Sequence, residues 1–219
     1  MKTCRGEDRY RRSIVWAGIV IVFLFVELAL WAPTLTIRNR WSAIAAITIL
    51  VIILIDLVTG RSSPGRLGVG LPKMSVAGLV VGIGFTTAAF ILVLARLAGS
   101  PIPANSYWAD WHSVWGYAIW ALLQEFILQS FFFNRFEELY GSSTAVWMAS
   151  TLFAAAHLPN PILTTFTFIG ALFFCEVFRR YRSIYPLAIV HAMLGPAIAL
   201  TVPDSLLHHM RVGIGYLRY

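Results

Sequence analysis

Charged residues are scarce in this sequence. Only 12% of its 219 residues are Asp, Glu, Lys or Arg, and 58% are hydrophobic, whereas soluble domains carry about 25% charged residues. A soluble fold of this length could not cover its surface with polar groups, which excludes an ordinary globular domain. We therefore expect hydrocarbon to surround much of the chain.

Strict alternation of apolar and polar residues is also missing. The apolar runs are long and continuous, so they predict helices and not the strands of a membrane barrel. The predicted fold is all-α, a polytopic transmembrane helical bundle of about seven spans, within a range of six to eight. The predicted spans are 13–32, 43–58, 74–95, 114–133, 143–156, 162–178 and 184–202. The fifth is short for a bilayer, and Pro159 and Pro161 mark it as a candidate half-helix that breaks inside the membrane.

Cysteine is nearly absent. Cys4 and Cys175 have neither the spacing of metal ligands nor the pattern of a disulfide framework. The chain also lacks an internal repeat, a low-complexity segment and a small-residue cleavage site after its first apolar run. We therefore predict that this run is a retained signal-anchor.

Basic residues are in excess, with 17 Lys and Arg and a formal charge of +7, but they form short clusters between the apolar runs. Such clusters are typical of topological anchors, so no nucleic-acid partner is expected. Twelve of them fall on the side of the N-terminus and five on the other when alternate loops are counted. This asymmetry predicts an integral membrane protein with a cytoplasmic N-terminus, and the compact, mostly loopless chain indicates a bacterial inner (plasma) membrane.

The chain divides into four parts. They are a basic N-terminus (1–12), N-terminal transmembrane helices with an interfacial segment (13–113), a C-terminal helical core (114–202) and a tail (203–219). Trp108 and Trp111 place the interfacial segment, 100–113, at headgroup level. The tail contains His208 and His209, which can ligate metal only with further ligands, so we expect a solvated or interfacial end.

Few ionisable side chains interrupt the apolar runs, since each costs about 3 kcal/mol in the bilayer core. Glu27 and Glu176 stand near span ends, where snorkelling to the interface explains them. Glu125 lies roughly 16 Å into its span at 1.5 Å per residue and cannot snorkel. Gln129 shares its helix face and could hydrogen-bond to it. Alone, this pair is equally well explained as a polar clasp between helices.

Two histidines lie on other predicted helices. His157 ends the run Phe153-Ala154-Ala155-Ala156-His157, before a proline-rich break, and His191 lies about a third of the way into the last span. A carboxylate and two imidazoles on three apolar helices could activate water in a dry cavity. They could also bind zinc, although the HExxH spacing is missing. We expect no cofactor, with zinc left open.

The order of these motifs resembles the CPBP family, the CAAX prenyl protease and bacteriocin-processing membrane proteins. Gln124-Glu125-Phe126-Ile127-Leu128-Gln129, the Phe153 to His157 motif and His191 follow the family's Glu-Glu-x-x-x-Arg, Phe-x-x-x-His and His-x-x-x-Asn/Asp patterns over 114–202. The resemblance implies a glutamic-type intramembrane protease, a hydrolase. In it the first glutamate and the second-motif histidine activate water, and the third motif helps to stabilise the oxyanion.

Three positions depart from the family pattern. Gln124, Gln129 and Gly195 stand where the family has Glu, Arg and Asn or Asp. Glutamine cannot act as a general base. Adjacent residues on a helix point about 100° apart, so Glu125 cannot take over position 124 unless the helix rotates.

Two interpretations follow. In the first, the chain is an intramembrane endopeptidase that cleaves a membrane-embedded or lipidated peptide. Its catalytic residues are Glu125, His157 and His191, and its substrate-positioning residues are Gln124, Gln129 and Asn160. In the second, a CPBP-like scaffold has lost proteolysis and binds membrane lipid or another membrane protein, or acts on a lipid or isoprenoid-like substrate. The surviving histidines favour the first interpretation and Gln124 favours the second.

A third interpretation is a small transporter or channel component. Such proteins place paired charges along a path through several spans. Here the polar residues cluster in the C-terminal half, which disfavours a transporter.

Overall fold

The computed structural model describes residues 2–99 and 110–218. Within these residues every regular element is helical, as the sequence predicts. A π-helix spans Phe126–Phe133, and a 3₁₀ turn spans His208–Met210. The α-helices are α1 (Lys2–Leu30), α2 (Leu35–Val58), α3 (Pro64–Leu67), α4 (Met74–Leu97), α5 (Trp111–Glu125), α6 (Asn134–Tyr140), α7 (Ser142–Ala155), α8 (Pro161–Tyr181), α9 (Tyr185–Thr201), α10 (Asp204–Leu207) and α11 (Ile214–Leu217).

The number of candidate membrane spans is lower than the sequence predicts. Four helical stretches are long and apolar enough to cross a membrane alone. A bent pair of helices, Tyr185–Thr201 with Asp204–Met210, adds a fifth candidate if its 118° break lies within one span. The predicted count of seven is therefore not confirmed. The difference arises mainly at α7, which has 14 residues where a full crossing needs about 20, and at the fourth predicted span, where α5 continues as a π-helix. The four helical stretches that are long and apolar enough alone are Arg9–Leu30, Leu35–Val58, Met74–Leu97 and Pro161–Tyr181.

Most of the predicted interfacial segment, 100–109, lies outside the described residues. Its last part starts α5, where the Asp110 carboxylate accepts a hydrogen bond from the Ser113 N–H at 3.0 Å. That bond lowers the pKa of the exposed Asp110 carboxyl below its usual value. Trp111, the first residue of the helix, is 65% exposed and packs edge-on against Trp115, as an interfacial indole would.

One end of the bundle, which we call the ion-pair end, is held by charges from separate helices. These charges come from segments that the basic-residue count assigns to one side of the membrane, so the structure places those segments together. Which membrane face this end occupies stays a prediction. The ion pairs are Arg11–Glu138 at 2.7 Å, Arg135–Asp56 at 2.6 Å and Arg182–Glu137.

Helix α9 contacts both α4 and α5, and a glycine sets its distance from α4. A Cβ added at Gly84 would lie 2.6 Å from both methyl carbons of Val190. Small residues at helix crossings let backbones approach closely in membrane proteins. This contact fixes the segment of α9 that carries the next residue, His191.

Candidate active site

A cavity of about 940 Å³ lies in the half of the bundle away from the ion-pair end. Leu30 at the last turn of α1 and Ser42 in the first half of α2 line it. Both are distant along their helices from the ion-paired Arg11 and Asp56. The wall is mainly apolar, and its polar groups include Gln124, Tyr117, His157 and His191. Few, converging polar groups in an apolar cavity are typical of a binding or catalytic site.

Glu125 lies behind the cavity wall. Its side chain is fully buried, and its Oε1 lies 2.9 Å from Nδ1 of His191 on α9. Gln129 Nε2 donates to the other carboxylate oxygen at 3.2 Å, so the predicted contact between Glu125 and Gln129 is confirmed. A buried carboxylate needs such partners, because burying it without them is costly.

The π-helix begins one residue after Glu125. Insertions of this kind occur often at functional sites. Gln124 and Glu125 both precede it and keep their separation of about 100°. Gln124 therefore lines the cavity, whereas Glu125 is turned toward His191 and Gln129.

His157 lies just beyond the end of α7, where its ring lines the cavity. Its Nδ1 is 2.7 Å from the carbonyl oxygen of Phe153. A carbonyl can only accept, so this contact places the proton of the neutral ring on Nδ1. The Nε2 atom is left with its lone pair and has no hydrogen-bond partner among the described residues. The phenyl ring of Phe153 also packs against both imidazoles, with centroids at 4.8 Å from His157 and 6.3 Å from His191.

Asn160 binds the protein's own tail. Its side-chain oxygen caps α8 by accepting from the Leu163 N–H at 3.0 Å. Its side-chain amide donates to the carbonyls of Leu207 and Arg211, at 2.9 and 3.2 Å. The tail between these carbonyls lines the cavity through Leu207, His209 and Met210. It is therefore part of the cavity wall, and the side chain of Asn160 holds it there.

The structure brings together the three residues that the sequence marks as catalytic, but not in equal positions. His157 and His191 line the cavity, and Glu125 reaches it only through His191. Among the predicted positioning residues, Gln124 lines the cavity, while Gln129 and Asn160 are fully buried and bonded within the protein. No group of three or more His, Cys, Asp or Glu side chains that could hold a metal ion occurs in the described part of the chain.

Sequence reasoning missed Tyr117, whose ring lies in the cavity wall with its centroid 6.2 Å from that of His191. A tyrosine two residues after a tryptophan near a helix start resembles an interfacial anchor. The sequence signals Tyr117 only indirectly. Gly195 has no side chain, and it therefore leaves space on α9 for a side chain from another helix.

Comparison with known protein families gives a match. The model for Rce1-like proteins, described as type II CAAX prenyl endopeptidase Rce1-like, matches residues 106–195. This segment is Rce1-like. The resemblance to the CPBP family is thereby confirmed over slightly less than half of the chain. No curated protein and no solved structure gives a significant match to the chain.

The Rce1-like segment carries the candidate site. It contains Gln124, Glu125, His157 and His191, and it ends at Gly195. The chain is thus a CAAX-protease-like integral membrane protein, with α1, α2 and α4 outside the matched region. Those first two helices still contribute to the site, because residues such as Phe23 and Ile49 line its cavity.

Proposed function

We propose that this protein is an intramembrane endopeptidase that hydrolyses a membrane-embedded or lipidated peptide. The observation that carries the proposal is the arrangement of two imidazoles in one apolar cavity. His157 is held in a single tautomer by the Phe153 carbonyl, and His191 is held by a buried carboxylate. The Rce1-like match supports peptide hydrolysis as the reaction class.

In this mechanism His157 is the general base. A water bound at its Nε2 loses a proton to the ring as the water oxygen attacks the peptide carbonyl. The resulting imidazolium then gives that proton to the leaving amine, so the products are a carboxylic acid, which ionises to water, and a free amine. In this role His157 takes the place of the glutamate that the family pattern has at position 124.

His191 and Gln124 stabilise the oxyanion that forms during attack. The Glu125 carboxylate accepts from Nδ1–H of His191, and the protonated ring donates its Nε2–H to the oxyanion. The carboxylate also stabilises positive charge on the imidazole, as a buried carboxylate does for other catalytic histidines. Glu125 is therefore a positioning residue here, and the amide of Gln124 is a neutral donor to the same oxygen. The mechanism uses no metal.

The side from which substrate enters follows from the charge distribution. The ion-pair end collects the segments that hold twelve of the 17 basic residues, so we place it in the cytoplasm. The cavity then opens toward the opposite face of the membrane, which is the outer leaflet of a bacterial plasma membrane. A substrate peptide would be one that is anchored in or translocated through the membrane.

Two cysteine variants test this orientation in a background free of Cys4 and Cys175. Leu206, in the tail, is 51% exposed, and Leu71, in the linker before α4, is 92% exposed. A membrane-impermeant maleimide should label Leu206→Cys in intact cells and Leu71→Cys only after lysis. The reverse pattern would place the cavity on the cytoplasmic face.

The proposed reaction can be tested in cells. Membrane peptides are compared by mass spectrometry between cells with the wild-type protein and cells with His157→Ala, matched for expression. His112→Ala is the control, because that imidazole is 92% exposed and outside the cavity wall. One or more uncleaved polypeptides should accumulate with His157→Ala and not with His112→Ala. Identical peptide profiles would contradict proteolysis.

A non-proteolytic role is the second candidate. Gln124 stands at the base position, and the cavity is large and mainly apolar, which also suits the binding of a lipid or an isoprenoid-like molecule. The same samples distinguish the two roles. If the peptides are unchanged in His157→Ala cells but the abundance of a lipid species changes, the protein acts on lipid. No change in either would favour a scaffold.

A further inference from the structure

Gly195 leaves a space on α9 that another helix fills. A Cβ added there would lie 1.9 Å from the Tyr117 hydroxyl oxygen and 2.4 Å from its Cζ. Such distances are far below any non-bonded contact, so only glycine permits this approach. The phenol of α5 thus rests directly on the backbone of α9.

This contact lies beside the imidazole of the candidate site. Gly195 follows His191 by four residues and so lies on the same helix face. The rings of Tyr117 and His191 meet edge-on, at an interplanar angle of 75°. Both residues line the cavity, so a molecule that occupies it would lie against the phenol.

A phenol is a strong neutral donor that stays protonated at neutral pH. Like the Gln124 amide and His191, it is a polar group in a mainly apolar cavity wall, and its ring lies against that of His191. Donors in a water-poor cavity are suited to an oxygen that gains negative charge.

We propose that the Tyr117 hydroxyl donates a hydrogen bond to the carbonyl oxygen of the bound substrate and strengthens that bond as the oxyanion forms. This assignment rests on the proposed hydrolysis. Tyr117 reaches, from α5, the place that the family pattern gives to an Asn or Asp side chain on α9. Gly195 is then part of the site, because any side chain there would displace the hydroxyl.

The first test is Tyr117→Phe in the purified protein, which keeps the ring and removes the donor. The probes are palmitoylated hexapeptides of apolar residues, with a ¹³C label at each amide carbonyl in turn. Infrared difference spectra report hydrogen bonding to the bound carbonyl without any need for turnover. Tyr181→Phe is the control, because that ring lies at the end of α8, outside the cavity wall.

We expect one labelled carbonyl to absorb at lower frequency in the wild type, and this shift to be lost in Tyr117→Phe only. Its kcat should fall about 10²- to 10³-fold with little change in KM, as for other lost oxyanion donors. A carbonyl shift without any wild-type hydrolysis would refute the proposed function and keep the donor assignment. Normal hydrolysis and an unchanged spectrum in Tyr117→Phe would refute the donor assignment alone, as would a wild type with no shifted carbonyl.

A second variant separates donation from packing. Tyr117→Ala vacates the space, and adding Gly195→Asn supplies an amide donor from α9. The double variant should regain at least about tenfold in kcat over Tyr117→Ala, which is the effect of about 1.4 kcal/mol. A double variant that unfolds at the wild-type temperature but regains neither kcat nor the carbonyl shift would show that no donor is needed there.

Discussion

Replacing Glu125 by Gln tests how the buried carboxylate acts. The side chain keeps its size, and its oxygen can still accept from His191 Nδ1, now 2.9 Å from Glu125 Oε1. The change in folding stability should be small, because hydrogen bonds between membrane helices contribute about 0.6 kcal/mol on average. What disappears is the negative charge beside the imidazole.

The loss of activity can be estimated from that charge. With about 4 Å between charge centres, a carboxylate stabilises an imidazolium by about 4 kcal/mol at an effective dielectric constant of about 20. Without it, hydrolysis should slow by about 10³-fold. The loss should appear in kcat, because the carboxylate does not line the cavity and does not bind substrate.

The assay is hydrolysis of a lipidated peptide by the protein in proteoliposomes. Glu138→Gln is the matched control, because it removes an exposed ion pair with Arg11 far from the cavity, and such pairs contribute about 0–1 kcal/mol. Folding is followed by thiol labelling of the buried Cys175 on heating, in a Cys4→Ser background. A folded Glu125→Gln protein that retains activity within about threefold would refute the role of the carboxylate.

Three further variants test other parts of the structure. Gln124→Glu puts a carboxylate in the cavity wall and should raise hydrolysis by about 10²-fold; no gain in a folded variant would mean that the family's base is not used. Gly84→Ala should destabilise the protein by about 1–3 kcal/mol through its clash with Val190, as measured by Cys175 labelling, whereas Gly82→Ala, with open space around it, should not. Asn160→Ala should expose the tail to added protease, because the carbonyls of Leu207 and Arg211 lose their donor. An unchanged rate of tail cleavage would contradict the role of Asn160 in holding the tail.

Apolar run length predicts the helices of this protein well but not how many cross a membrane. The first three predicted spans each correspond to one long helix. The fourth also lies inside an unbroken helix, but that helix changes from α to π after Glu125. A pattern of apolar residues in one segment does not encode that change.

The cost of buried charge predicts that ionisable side chains in separate apolar helices come together. Glu125 and His191 are far apart in the sequence, yet each lacks a reason to lie in an apolar helix alone, and the structure pairs them. The side each residue faces is harder to predict. Gln124 and Asn160 are both polar residues near an apolar core, but one lines the cavity and the other binds the tail. That difference depends on tertiary contacts with α9 and α10, which local sequence does not specify.

The central claim is that His157 activates water for peptide hydrolysis, and reconstituted protein tests it most directly. Wild-type protein and His157→Ala are placed in liposomes with the same lipidated peptides, and products are identified by mass spectrometry in water enriched in ¹⁸O. The proposed mechanism predicts a new carboxyl terminus carrying ¹⁸O with the wild type and none with a folded His157→Ala protein. Equal product from both proteins, or no product from the wild type, would contradict it.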